Sequence, residues 1–116
     1  MNLTVSHKNS QDSLIVYLSG ELDQHTADIV RSAIEKEWTK KLAKHIVLNL
    51  ENLTFMDSSG LGVILGRYKQ VNNDGGKLVI CCINRQVDKI VELSGLKKIM
   101  SFYETETDAL KALGEE

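Results

Sequence analysis

The chain has 116 residues, 42% of them hydrophobic and 26% charged, which suits one domain with one real core and leaves no room for a second. Its 14 Lys plus Arg stand against 16 Asp plus Glu, a formal charge of -2 with the signs interspersed along the sequence, so the basic footprint of a nucleic-acid partner is missing. The longest stretch without a charged residue, Ser58 to Gly66, is too short to span a bilayer, and the N-terminus lacks the basic start, apolar core and cleavage site of a secretory signal, so no membrane partner is expected and the expected location is cytoplasmic.

Two alternating runs, Leu3 to His7 and Leu14 to Leu18, flank a polar turn, Lys8 to Ser13, and predict a hairpin. Ala27, Val30, Ala33, Ile34 and Trp38 follow helical spacing. With Asp23 or Thr26 as N-cap and Lys40, Lys41 and Lys44 suited to a C-terminus, they predict a helix over 24–42. His45 to Leu50 is a β-rich run and predicts a buried strand. Leu61, Ile64, Leu65, Tyr68 and Val71 keep the 3.6 period of a second helix until Asn72 to Gly76 stops it. Leu78 to Ile83 predicts another buried strand, and Val87, Ile90 and Val91 a third helix that stops at Ser94 and Gly95. Ile99 to Tyr103 predicts a last short strand, and Ala109, Leu110 and Leu113 a closing helix. The order ββαβαβαβα, without proline, repeat or linker, predicts an α/β fold: a single domain over 1–116 with a mixed, largely parallel sheet and packed helices.

Cys81 and Cys82 are adjacent in an apolar run, and neighbouring residues of a strand point to opposite faces, so no structural disulfide between them is expected. They read as small hydrophobes in a reduced compartment. His7, His25 and His45 are scattered singly, so neither a metal site nor an intrinsic cofactor is expected.

In sheets of this kind, sites gather where strands end and helices begin, which directs attention to Leu50 to Gly62. There Asp57 or Ser58 can cap the second helix, a contribution of roughly 0.5–2 kcal/mol. Capping does not explain Gly60, Gly62 and Gly66, because an interior glycine costs a helix roughly 1 kcal/mol relative to alanine. Steps of 100° place Leu61, Ile64, Leu65 and Tyr68 on one arc and Ser59, Gly62, Val63, Gly66 and Gln70 opposite. A face meant only for water would carry Glu, Lys or Arg. Small residues with a lone Val63 suit close approach by another backbone, so a docking face is predicted in preference to a face covered by the same chain. Ser58 stands at its rim, at the positive end of the helix dipole, where the fold tolerates a phosphate.

Catalytic readings fare worse. Asp57 after a central strand resembles the phospho-accepting aspartate of response-regulator receivers, but Lys8, Asn9 and Ser10 supply no acidic pair for Mg²⁺. Neither Ser58, between Met56 and Gly60, nor Ser59, between Asp57 and Leu61, sits in a G-x-S-x-G elbow, and a lone His25 in a helix-start segment reads as a surface or cap residue before a base. Gly60 and Gly62 lack the following Gly-Lys-Ser/Thr of a P-loop. A stand-alone nucleotide-binding module stays as the alternative, since a helix N-terminus with exposed glycines can hold a phosphate.

The run from Asp57 through Ser58, Ser59 and Gly60 to Gly66, Arg67 and Tyr68 closely resembles the signature of bacterial anti-sigma factor antagonists, the STAS-domain family. Gly20 to Asp23 with Thr26 and Ala27, His45 to Glu51, Phe55 and Met56, Gly75 and Gly76, and Ser94 to Leu96 resemble further landmarks of that family, in order and over most of the chain. The resemblance implies a STAS-like fold and a partner-switching cycle. In that cycle the unphosphorylated protein binds an anti-sigma factor that is also a serine kinase and so releases a sigma factor. The kinase uses ATP to phosphorylate the serine matching Ser58, and a metal-dependent serine phosphatase reverses it. By this likeness the protein is a switch and a substrate, not an enzyme, with Ser59 the neighbouring alternative acceptor. Its partner-binding surface is expected at Asp23, Asp57, Ser58, Ser59, Gly60, Gly62, Val63 and Gly66. Gln24 departs from the family's usual Asp-His-His at this point, which alters one partner contact. The run from Gly62 to Tyr68 favours the sporulation branch over stress-response antagonists, which share the fold and the serine.

Overall fold

Strand β1 (Leu3–Ser10), strand β2 (Ser13–Leu22), helix α1 (Ala27–Trp38), strand β3 (His45–Met56), helix α2 (Ser58–Asn73), strand β4 (Leu78–Cys81), helix α3 (Arg85–Ser94), strand β5 (Phe102–Tyr103) and helix α4 (Glu106–Ala112) follow one another in the expected order. They belong to a computed structural model that describes residues 2–115, so the ends of the expected 1–116 domain, Met1 and Glu116, lie outside it. The five strands lie side by side in chain order, β1 antiparallel to β2 and every later pair parallel.

Period-2 alternation divides the core between two faces. Leu14, Val16 and Leu18 of β2, Ile46, Leu48 and Leu50 of β3, and Leu78 and Ile80 of β4 share one cluster with Val30 and Ile34 of α1, Ile64 and Val71 of α2, and Val87 and Val91 of α3. The residues between them, Ile15, Val47, Val79 and Cys81, cluster with Ala109 of α4 on the other face. Strands buried on both faces read as apolar runs, which is how β4 and, but for Asn49, residues 46–50 of β3 look in the sequence.

Several boundaries differ from the sequence reading, each for a local reason. Helix α1 starts at Ala27 because Asp23 and Thr26 hold the preceding residues in a turn, and it ends at Trp38, with Lys41 in a left-handed conformation (φ 56°) just beyond. The hairpin loop narrows to Gln11 and Asp12, because polar edge residues up to Ser10 still pair with β2, Ser10 opposite Ser13. Strand β3 continues past Leu50 to Met56; register shifts against β2 between Tyr17 and Ser19 and between Gly20 and Glu21 absorb the extra residues. Strand β4 stops at Cys81, since Cys82 has a φ of 62° that no strand accommodates.

Candidate functional surface

The parallel pairing of β2 and β3 places Leu22 opposite Met56, and the Asp57 amide donates to the Leu22 carbonyl at 3.2 Å. Asp23 and Asp57, the residues that follow these strands, therefore leave the sheet side by side at its C-terminal edge.

Each carboxylate organises its own chain. Asp57 is the N-cap of α2; its Oδ1 accepts from the amides of Ser59 at 2.9 Å and Gly60 at 3.3 Å. Asp23 Oδ1 accepts from the amides of His25 at 2.8 Å and Thr26 at 3.1 Å, and the buried Thr26 hydroxyl accepts from the Asp23 amide and donates to the Glu21 carbonyl. Thr26 occupies the N-cap position of α1 without a side-chain cap bond, so the hydroxyl serves the turn instead. Burial pushes the Asp23 carboxyl upward, but the hydrogen bonds from His25 and Thr26 outweigh it and leave the pKa below the ordinary value.

Ser58 is the first residue of α2 and is exposed; among the described residues its hydroxyl makes no hydrogen bond. The cap is thus Asp57 alone.

The phase of α2 differs from the sequence reading by about a quarter turn. Gly60, Val63, Ile64 and Val71 are buried, while Leu61, Leu65 and Tyr68, expected in the core, are half-buried. Val63 is only 3% exposed and belongs to the α1–α3 side of the core, which corrects its place on the outward face. Gly60 is also inward. A Cβ there would lie 2.6 Å from Met56 Cγ, 2.8 Å from Leu22 Cγ and 3.0 Å from the Leu22 carbonyl oxygen, so the chain itself requires this glycine. Gly62 and Gly66 are different: a Cβ at either meets nothing within 4 Å. The outward stripe therefore runs through Ser58, Gly62 and Lys69, with Leu61, Leu65 and Gly66 half-buried along it and Ser59 at its side.

The misplacement has a clear cause. Arg67 and Gln70 look like a solvent face, yet they turn toward α1. Arg67 Nη1 pairs with Glu35 Oε2 at 2.8 Å and Gln70 Nε2 donates to Glu35 Oε1 at 2.9 Å, bonds from Gln70 and Arg67 that hold the Glu35 carboxyl below its ordinary pKa. Their i, i+3 spacing puts both on one side of α2, and the position of Glu35 across from them shows that this side faces α1. Asn84 was also missed. It caps α3 by accepting from the Val87 amide at 3.1 Å, and its Nδ2 reaches the carbonyls of Glu51 at 3.1 Å and Leu53 at 2.5 Å, bracing the part of β3 that leads to Asp57.

Two of the larger cavities lie elsewhere. One of about 540 Å³ is lined by Trp38, Lys41, Lys44 and Asp74 at the opposite end of α2, and one of about 520 Å³ by Asn84, Arg85, Lys97 and Tyr103. Around Ser58 the structure offers an open surface. Among the described residues no group of three or more His, Cys, Asp or Glu side chains is placed to hold a metal ion, and no helix is long and apolar enough to cross a membrane.

A STAS domain model matches residues 4–109. An anti-sigma F factor antagonist of Paenibacillus polymyxa is 50% identical over 113 residues, 97% of each chain. The anti-sigma factor antagonist SpoIIAA in its unphosphorylated form superposes with a TM-score of 0.79 at 28% identity, covering 96% of this chain and 95% of that one. The Bacillus cell fate determinant SpoIIAA in its phosphorylated form gives a TM-score of 0.71 at 27% identity, covering 96% of this chain and 98% of that one.

Proposed function

The chain belongs to the STAS-domain family, and we propose that it is an anti-sigma factor antagonist working by partner switching. Unphosphorylated, it docks on an anti-sigma factor that is also a serine kinase and so frees a sigma factor, sigma-F in sporulation. The kinase transfers the γ-phosphoryl group of ATP to Ser58 and ends the interaction; a serine phosphatase restores it. The protein is the substrate of both enzymes and catalyses neither step.

The observation that carries this reading is the state of Ser58. It is exposed, unbonded and first in its helix, while the neighbouring Asp57 supplies the cap. A kinase can take this hydroxyl without breaking a bond of the fold. The flanking stripe of Gly62, Leu61, Leu65 and Gly66 is small and partly apolar, as a docking surface at the rim of such a serine would be. Asp23, beside Asp57 at the sheet edge, belongs to the same surface and keeps a charged carboxylate there. The 50% identity to an anti-sigma F factor antagonist, against 28% to the anti-sigma-B factor antagonist of Bacillus subtilis, favours the sporulation branch.

The test is incubation with the cognate anti-sigma factor and ATP, followed by phosphosite mapping. Phosphate is expected on Ser58 and on no other residue. Phosphorylation of Ser58→Ala at the wild-type rate, or no complex between the unphosphorylated protein and the anti-sigma factor, refutes the reading.

A further inference from the structure

Cys81 and Cys82 would point to opposite faces only if both lay in the strand. If β4 continued, Cys82 would point toward α1–α3, away from Cys81. Instead β4 ends at Cys81, Cys82 turns to a φ of 62°, and its side chain packs against the α4-side cluster that contains Cys81. The Cys82 amide still donates to the Tyr103 carbonyl at 3.1 Å, continuing the ladder of Ile80 on Ser101, so the chain leaves the sheet by the rotation at Cys82 itself. The thiols are neighbours as a result. Burial keeps the Cys81 thiol protonated, and its hydrogen bond and charge interaction with Cys82 add to this. Cys81 is buried and Cys82 half-buried, so one member of the pair meets solvent. Neither belongs to α2 or to its outward stripe.

We propose that Cys81 and Cys82 form a reversible vicinal thiol–disulfide pair whose oxidant is a hydroperoxide. The Cys82 thiolate attacks one peroxide oxygen; the O–O bond breaks, the other oxygen leaves as an alcohol or water, and the sulfur becomes a sulfenic acid. The Cys81 sulfur then attacks the Cys82 sulfur, the S–O bond breaks, and water leaves with the Cys81 proton. Two thiols and one hydroperoxide give one disulfide, one alcohol (or water) and one water. Adjacent Cα atoms stand about 3.8 Å apart, below the ordinary disulfide range of about 4.4–6.8 Å, so the ring is strained and reduces readily. That places it with labile disulfides, not structural ones.

The experiment uses the full chain. Reduced protein is treated with hydrogen peroxide, quenched in acid, alkylated and weighed intact and as the tryptic peptide Leu78–Arg85. The expected product is a monomer lighter by two hydrogens, with both thiols lost to alkylation together and both recovered with dithiothreitol. Cys82→Ser abolishes it. Protein and a synthetic peptide of residues 78–85 are then equilibrated in one thiol–disulfide buffer. The turned backbone should favour the closed form in the protein by at least about tenfold, about 30 mV for a two-electron couple. Oxygen added to Cys82 with Cys81 still alkylated, disulfide-linked dimers in place of the monomer, or a peptide that closes as readily as the protein each overturns the proposal.

Discussion

Gly62 and Gly60 stand two residues apart on α2 and face opposite ways, so substituting each separates docking from packing. A Cβ at Gly62 meets nothing within 4 Å, and a side chain there gains the helix propensity that glycine lacks, about 0.8–1 kcal/mol. At roughly 2.1 cal/mol/K of unfolding entropy per residue, the 116-residue chain loses about 0.24 kcal/mol of stability per degree near its midpoint, so Gly62→Leu should raise Tm by about 4 °C. If the proposed docking face is right, the same side chain should stand in the way of the anti-sigma factor. A misfit of this size in a packed contact costs about 1–3 kcal/mol, which weakens Kd roughly 5- to 150-fold. Gly60→Ala should behave in reverse. Met56 and Leu22 are fully buried, so their Cγ atoms have little room to yield, and the Leu22 carbonyl oxygen at 3.0 Å is held in the β2 backbone. Overpacking of up to about 3 kcal/mol then exceeds a helix gain of about 1 kcal/mol, and Tm falls by up to about 8 °C. Scanning calorimetry and titration calorimetry against the anti-sigma factor read both quantities. A Gly62→Leu protein that binds like the wild type refutes the docking face; one that unfolds shows that the face is covered by its own chain.

Ser58→Ala should keep anti-sigma binding and stability within about 0.5 kcal/mol, since Asp57 holds the cap; complete loss of binding by the folded variant would contradict this. Phosphorylation should leave the backbone of α2 in place, with chemical-shift changes confined to the neighbourhood of residues 57–62; a displaced helix would make the switch conformational. Because the Asp23 pKa is lowered on folding, its ionised form adds stability above the unfolded value of about 3.9, and that contribution fades as pH falls through this value toward the folded one. Asp23→Asn should therefore destabilise the protein in urea titrations at about pH 7 and match the wild type more closely near pH 3. Asn84→Ala removes a cap and leaves β3 carbonyls unpaired, a loss of about 2–4 kcal/mol measurable by chemical denaturation.

The element order was legible because it rests on periodicity, and periodicity survives burial on two faces. Ends of elements were less so, since they depend on contacts the sequence does not display. The Asp23–Thr26 turn shortens α1, the bulged pairing with β2 prolongs β3, and the left-handed backbone of Cys82 ends β4. At the surface around Ser58 the serine and its neighbour Asp57 were readable, as strand-to-helix junctions usually are. The facing of α2 was not. Glycine has no hydropathy to reveal that Gly60 is inward, and Arg67 and Gln70 look exposed until Glu35 is known to lie across from them. A helix packed on another through polar side chains carries a phase that apolar counting misplaces.

The start of α2 divides its labour in a way that suits a switch made of charge. Asp57 makes both capping bonds, so the helix start is complete before Ser58 contributes anything. A phosphate on Ser58 brings about -1.5 to -2 charges. At a separation of about 6 Å in water it repels the Asp57 carboxylate by about 1 kcal/mol, and salt reduces this further. The N-terminal end of the helix dipole returns about 0.3–1 kcal/mol for each negative charge near it. Within the fold the two effects nearly cancel. At a docked interface nothing comparable cancels: a partner seated against Ser58 must strip water from the dianion, at a cost of several kcal/mol per ion, beside an Asp23 that already holds a negative charge. In the proposed cycle the energy of phosphorylation would therefore fall on the complex and spare the domain, which would pass between bound and free states without refolding.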